Sequence, residues 1–328
     1  MRDKTIASAV RPVAVYTDWG ELDIAPGVRA LEDAGWEVRA LGSTDADSIA
    51  RVAADATALC LGYAAVGREL LRRLGRLRIV ATLSTGYDMV DVDAAAERGV
   101  WVATIPDAAV DEVAGHALAM AMALIRHLPW ADREVRAGEW ELDVASPPRA
   151  PSALTFGLLG LGRIGRRAAD LAGGVFGRVI AHDPHVPADQ WPAGVGRLSR
   201  DELVVRADVL SLHLALTPET QGIVDAELLA RMPPGAFLVN VSRGGLVDHA
   251  ALLAALDAGH LAGAGLDVLD VEPPPADHPA IRHHRVLLTP HMAFLSDRSL
   301  DLYPRRQAEN VLVWQRTGRP LSPVRELS

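Results

Sequence analysis

The chain has 328 residues, of which 49% are hydrophobic, and 33 Lys and Arg stand against 42 Asp and Glu for a net charge of -9. That length and apolar fraction supply a large core and predict two domains, while an acidic balance without any long basic block argues against nucleic acid as a partner. The single cysteine, Cys60 in the run ATALCLGY, excludes an internal disulfide and a cysteine-based metal site and reads as a buried, inert thiol. No metal is expected. The opening MRDKTIASAVRPVAVYTD lacks an apolar core followed by a small-residue cleavage site. No later stretch approaches the roughly 18 to 20 apolar residues of a membrane span, so a cytoplasmic protein without a membrane partner is expected.

In chain order, short apolar runs first alternate with amphipathic stretches: PVAVYTD, PGVRALEDAG, EVRAL, DSIARVAAD, ATALCLG, RELLRRLG and LRIVATLS. Strand and helix periods taking turns predict parallel strands joined by right-handed crossovers. The segment DAAVDEVAGHALAMAMALIRHLPWADREVRAGEW then predicts a long buried helix from about Asp107 to His127, with Met120 and Met122 as core or subunit-interface packing. Its amphipathic continuation, flanked by Trp130 and Trp140, reads as a surface for a partner subunit, since apolar helix faces have to be covered. Beyond SPPRAPS at 146–152 a second alternating run follows: ALTFGLLG, a helix to about Ala172, RVIAHD, ADVLSLHL, AFLVNVS, GAGLDVL and RVLLTP. Two doubly wound α/β units are therefore predicted. A last helix, YPRRQAENVLVWQRTG, is followed by a tail too short to be a domain, and so is expected to pack back on the first unit.

The strongest local signal is TFGLLGLGRIGRRAADLA, where Gly160, Gly162 and Gly165 form G-x-G-x-x-G between an apolar strand and a helix. Such glycines permit a tight turn and bring a pyrophosphate close to the N–H groups and dipole of the helix N-terminus. The next strand, RVIAHD, ends in Asp183, a carboxylate suited to adenosine ribose hydroxyls and repulsive to a 2′-phosphate, so NAD is expected in preference to NADP. His182 and His185 beside it read as surface loop residues. Three later strands each end in polar groups that a core strand does not need: Arg243 in NVSRGG, Asp267 and Glu272 in GLDVLDVEP, and His291 in LLTPHMAF. In open α/β sheets ligands bind beyond the carboxyl ends of the strands, and these residues have complementary chemistry. An imidazole at His291 suits proton exchange with an oxygen whose carbon gains or loses hydride. A carboxylate at Glu272 would orient that ring and favour its protonated form. A guanidinium at Arg243 would hold a substrate carboxylate and polarise the neighbouring carbonyl.

With these residues in view, the chain resembles the NAD-dependent D-isomer-specific 2-hydroxyacid dehydrogenase family over essentially its whole length. The blocks that carry the resemblance are STGYDMVDVDAAAERGVWVATIPD, GLLGLGRIG, ADVLSLHLALTPET, LVNVSRGGLVDHAALLAAL, GAGLDVLDVEP and LLTPHMAF. The resemblance implies that catalysis falls on Arg243, Glu272 and His291. It implies a Rossmann-type NAD domain, about 104–292, inserted into a flavodoxin-like substrate domain, 1–103 with 293–328. It further implies cofactor contacts at the backbone of Arg163 and Ile164, near His213, at Ser242 and at Asp267, and a substrate carboxylate held by the loop at Ser84, Thr85 and Gly86. A homodimer whose interdomain cleft closes on a small 2-oxo or 2-hydroxy acid is expected. Relatives usually carry Val-Ala-Glu where this chain has Val113-Ala114-Gly115, and often tryptophan where it has Phe294. Thr85 in place of a loop lysine speaks against phosphite oxidation, and Glu272 against the formate dehydrogenases, which carry glutamine there. RPVAVYTDWGELD and PHMAF are also similar to family corepressors, which leaves an NAD-binding dimeric scaffold as the alternative.

Overall fold

The computed structural model describes residues 11–141 and 147–327. Most of the opening segment read above for a secretory signal, and the first residue of SPPRAPS, lie outside those residues. In chain order the elements are β1 (Val13–Tyr16), α1 (Ala25–Asp33), β2 (Glu37–Ala40), α2 (Ala46–Val52), β3 (Ala58–Leu61), α3 (Arg68–Arg73), β4 (Ile79–Thr82), α4 (Val92–Glu97) and β5 (Trp101–Ala103). Next come α5 (Val110–Ile125), α6 (Leu128–Arg136), β6 (Thr155–Leu159), α7 (Arg163–Gly173), β7 (Arg178–His182), β8 (Val195–Arg197), α8 (Arg200–Val204), β9 (Val209–Leu212) and α9 (Ala226–Arg231). The chain finishes with β10 (Ala236–Asn240), α10 (His249–Asp257), β11 (Leu261–Leu266), α11 (Pro279–Arg282), β12 (Val286–Leu288) and α12 (Asp297–Thr317).

Two compact units result, one from residues up to Ala108 together with Ser296 onward, the other from Ala109 to Leu295. The first boundary falls after the expected residue 103 because Thr104 N–H donates to the Ser322 carbonyl and Ile105 N–H to that of Ser84, both within the first unit. The second falls after 292 because Ala293 N–H is held by Asp267.

The first unit has a five-stranded parallel sheet ordered β2-β1-β3-β4-β5, the flavodoxin-type order. Side-chain alternation sends Val13 and Val15 to the core under α2, α3 and α4, and Ala14 and Tyr16 to the core under α1 and α12. Helices on both faces explain why its strands read as continuous apolar runs. Cys60 is fully buried in the second of these cores, and burial pushes its thiol up to about 12, which fits the inert reading. Helix α12 is tied across the sheet by Gln307, whose amide donates to the carbonyls of Leu61 and Ala81, and by Asn310, which donates to that of Thr104. It starts earlier than the sequence predicts. The stretch YPRRQAENVLVWQRTG begins at Tyr303, yet the helix begins at Asp297 behind a Ser296–Ser299 capping box and encloses Pro304.

The second unit has a seven-stranded parallel sheet ordered β12-β11-β10-β9-β6-β7-β8, the Rossmann order with one strand added at the β12 end. The long predicted helix is α5, which stops at Ile125 close to the expected end at His127; His127, in the left-handed region at φ 57°, turns the chain into α6, the amphipathic continuation. Met120 packs against the sheet, where a Cβ on Gly265 would stand 3.2 Å from its Cβ, so a glycine in β11 sets how closely α5 approaches. No helix of the described residues is long and apolar enough to cross a membrane.

Candidate active site

The glycine turn connects β6 to α7. Gly160 has φ 97°, and a Cβ there would meet the His213 carbonyl oxygen at 2.4 Å, so the position excludes side chains on two counts. A Cβ on Gly165 would stand 2.4 Å from the Gly160 carbonyl oxygen, which lets the helix abut the turn. Gly162, the N-cap of α7, has nothing within 4 Å of its Cβ position and provides no side-chain cap. The N-terminus of α7 is thus left without a side-chain cap, an arrangement that suits a pyrophosphate. Asp183 follows β7, and its Oδ2 accepts from Leu161 N–H at 2.8 Å while Oδ1 accepts from His185 N–H at 2.8 Å. The carboxylate is therefore fixed against the glycine turn with lone pairs left for ribose hydroxyls. His213 is half-buried, its Nε2 lies 2.9 Å from Ser211 Oγ, and its enclosed Nδ1 has no hydrogen-bond partner. Burial pushes its imidazole down to about 4, so the ring is neutral near pH 7.

Three neighbouring strand ends carry Arg243, Glu272 and His291. His291 Nδ1 lies 2.5 Å from Glu272 Oε2, and Glu272 Oε1 accepts from Leu269 N–H at 2.9 Å. Burial opposes the charge on Glu272, but the His291 hydrogen bond and charge, the Leu269 N–H and the charge of Arg243 outweigh it, holding the carboxyl below its ordinary range. An ionised Glu272 accepts a hydrogen bond from His291 Nδ1–H, which fixes the orientation of the ring. His291 itself is in the left-handed region, φ 50°, an uncommon conformation for a residue with a side chain. Buried Asp267 holds that turn. Its Oδ1 accepts from Thr289 Oγ1 at 2.6 Å and Met292 N–H at 2.8 Å, its Oδ2 from Ala293 N–H at 2.9 Å, and its carbonyl from His291 N–H at 2.8 Å.

Arg243 stands at the end of β10, and its loop is locked by Asn240, whose Oδ1 accepts from Ser242 N–H and whose Nδ2 donates to the Arg243 carbonyl. Ser242 Oγ donates to the Leu212 carbonyl at 2.8 Å, joining this loop to β9. A Cβ on Gly244 would lie 1.9 Å from the Leu269 carbonyl oxygen, so the backbone beside Arg243 rests directly on the loop that carries Glu272. Phe294 stands edge-on to His291, ring centroids 6.4 Å apart. A cavity of about 340 Å³ borders the pair, with Thr289, Leu288, Ile281 and Pro273 in its wall. In the first unit, Thr85 Oγ1 donates to the Ile105 carbonyl and Ser84 Oγ to that of Gly86, which fixes the loop 84–86 after β4.

Sequence reasoning passed over His116, Thr289 and Asn240. His116 Nε2 lies 3.0 Å from Thr289 Oγ1, which in turn donates to Asp267, so a relay of two bonds backs the His291 turn. The available signal was a polar residue at the end of an apolar strand, AFLVN and VLLT. Gly115, next to His116, lies within α5 without breaking it. Among the described residues, one group of metal-capable side chains occurs, His249, Asp270 and His278. His278 Nδ1 accepts from Ala280 N–H, which puts the ring proton on Nε2 facing Asp270 Oδ1 at 2.9 Å, so this pair is held by its own hydrogen bond.

The family model for the D-isomer specific 2-hydroxyacid dehydrogenase NAD binding domain matches residues 118–293. Over 302 residues, 92% of this chain, the sequence is 39% identical to D-3-phosphoglycerate dehydrogenase of Mycobacterium tuberculosis, of whose length it spans 56%. It is 37% identical over 267 residues to glyoxylate reductase of Korarchaeum cryptofilum, covering 80% of each chain. The solved structure of D-lactate dehydrogenase from Aquifex aeolicus, complexed with NAD and lactic acid, superposes with a TM-score of 0.86 at 27% identity, covering 94% of this chain and 98% of that one. The chain belongs to the D-isomer specific 2-hydroxyacid dehydrogenase family, and its second unit is the family's NAD-binding domain.

Proposed function

We propose that the protein interconverts a small 2-oxo acid and its D-2-hydroxy acid with NAD(H). The observation that carries this reading is the His291–Glu272 pair, joined at 2.5 Å and backed by Arg243, on the carboxyl edge of a nucleotide-binding sheet. The glycine turn, Asp183 and the enclosed, neutral His213 fit a bound NAD, which supplies or accepts the hydride. In reduction His291 gives the Nε2 proton to the forming hydroxyl, and Glu272 stabilises the imidazolium that precedes this transfer. Arg243 holds the substrate carboxylate and draws charge onto the carbonyl oxygen. Ser84, Thr85 and Gly86 are assigned the same carboxylate through backbone N–H groups, and Asp267 the support of the His291 turn near the carboxamide. We also infer a cytoplasmic homodimer. Leu128 and Val135 of α6 and the following Trp140 are exposed, which supports a covered face there.

The test is NADH consumption against a panel of 2-oxo acids, with His291→Asn and Arg243→Ala beside the natural chain. His291→Asn is expected to bind NADH normally and to lose turnover, and Arg243→Ala to lower kcat/KM by about 10²-fold or more. NADH binding with no reduction of any 2-oxo acid would instead favour the scaffold reading.

A further inference from the structure

The segment that carries Glu272 has little regular structure to rest on. Between β11 and α11, residues 271–277 form neither helix nor strand and are exposed except for partly buried Pro274. Pro273 and Pro274 border the cavity beside the Glu272–His291 pair, so part of the segment faces that space. An exposed stretch of this kind keeps one course only where specific bonds fix it. At its start the Gly244 contact with the Leu269 carbonyl sets the backbone, and Leu269 N–H donates to Glu272.

At its far end stands His278, 8% exposed and the N-cap of α11. Its Nδ1 accepts from Ala280 N–H, and its Nε2–H donates to Asp270 Oδ1 at 2.9 Å, across the base of the segment. Burial opposes the charge on Asp270, but the His278 bond, the neighbouring His249 and the backbone N–H of Asp270 itself outweigh it, holding the carboxyl below its ordinary range. His249, in α10, lies edge-on to His278 with ring centroids 6.1 Å apart, and its Nδ1 is 3.7 Å from Asp270 Oδ1, too far for a hydrogen bond. Burial pushes that imidazole down against the pull of Asp270 and the Gly244 carbonyl. The bond from His278 is therefore the buried clasp on Asp270, two residues before Glu272.

We propose that His278 is a positioning residue: by clasping Asp270 it holds the exposed segment in the course that sets Glu272 against His291. This rests on the function proposed above, in which His291 gives up the proton and Glu272 stabilises its imidazolium. His278 acts through Asp270 and the intervening backbone, not on the reacting atoms. Without the clasp the Glu272 carboxylate spends part of its time away from Nδ1, and an imidazolium that loses its carboxylate releases its proton at lower pH. Reduction consumes that proton, so the pH at which reduction fades moves down.

The experiment follows kcat/KM for 2-oxo acid reduction against pH in two variants. His278→Phe keeps a ring and removes the donor, while His278→Gln has an amide that can donate to Asp270 and accept from Ala280. The other charges of the region, Arg243 near Glu272, Asp248 near His249, and Asp267 with His116 behind the His291 turn, are the same in both. In the Phe variant the midpoint at which reduction fades is expected about one pH unit lower, with kcat/KM above it down about tenfold. The Gln variant is expected to keep the midpoint and to stay within about threefold of the natural chain. An activity loss in the Phe variant that is equal at every pH, or a Gln variant that falls as far, overturns the proposal. If His278→Phe does not fold, Asp270→Ala, at a side chain 46% exposed, is compared with Asp270→Asn, which loses the charge but keeps an acceptor. A lower midpoint in the Ala variant is then expected, and equal midpoints overturn the proposal. Should the natural chain reduce no 2-oxo acid, the proposed function fails on its own account, and proton titration of the His291 ring by NMR in the NADH-loaded protein, assigned with His291→Asn, decides. A midpoint about one unit lower in His278→Phe supports the clasp, and an unchanged one overturns it.

Discussion

Thr289→Val removes one hydroxyl and leaves the side-chain shape intact, which isolates the relay behind the His291 turn. Two bonds are lost, the one donated to Asp267 at 2.6 Å and the one shared with His116 at 3.0 Å. The first ends on a carboxylate with 1% of its side chain exposed, where a charge-assisted bond contributes about 1.5–3 kcal/mol. His116, about a fifth exposed, recovers part of its loss from water. A net cost of about 2 kcal/mol follows, localised where Asp267 holds Met292 and Ala293, and that free energy corresponds to about 30-fold faster exchange of those amides if the turn opens locally. Hydrogen exchange of the peptide spanning 289–295 measures it directly. Turnover is expected to fall with it, because His291 in a left-handed turn has no intrinsic preference for the conformation that meets Glu272. Exchange within twofold of the natural chain would refute the view that Asp267 and its relay hold this turn.

Other outcomes follow from the same geometry. Gly160→Ala forces a Cβ against the His213 carbonyl at φ 97°, so a loss of about 2 kcal/mol or more in unfolding free energy and of NADH affinity is expected by denaturation and fluorescence titration. Because burial lowers the His213 pKa to about 4, its neutral ring is fully compatible with folding above the ordinary value near 6.5. As pH falls from there toward 4 the unfolded chain takes up the proton and stability declines; His213→Gln is expected to flatten that part of the stability profile measured by urea unfolding. Asp183→Asn keeps an oxygen for Leu161 N–H and removes the charge, so the NADPH-to-NADH ratio of dissociation constants is expected to fall about tenfold or more, read by fluorescence titration.

What was legible in the sequence is what local periodicity and fixed spacing encode. Apolar runs such as VAVY and ALCL name buried parallel strands because both faces of each sheet are covered, and the G-x-G-x-x-G spacing names a turn whose first and third glycines, Gly160 and Gly165, are sterically required. Arg243, Glu272 and His291 could be read together because strand ends of a parallel sheet share one edge. Tertiary bonds were not legible. His116 and Thr289 are 173 positions apart, and only the packing of α5 on the sheet brings them together. The end of the long helix near His127 was legible because the Ala-, Leu- and Met-rich run gives way there to an amphipathic one. The start of α12 was not legible because its capping box pairs Ser296 with Ser299, without the Glu or Gln that marks one in sequence.

The contact of Gly244 with the Leu269 carbonyl means that the arginine loop and the glutamate loop cannot be displaced one at a time. For an engineer, or for natural drift, the Arg243 and Glu272 loops behave as one inherited block that tolerates little adjustment. Substitutions that leave the Glu272–His291 contact intact are then to be sought in segments outside that block.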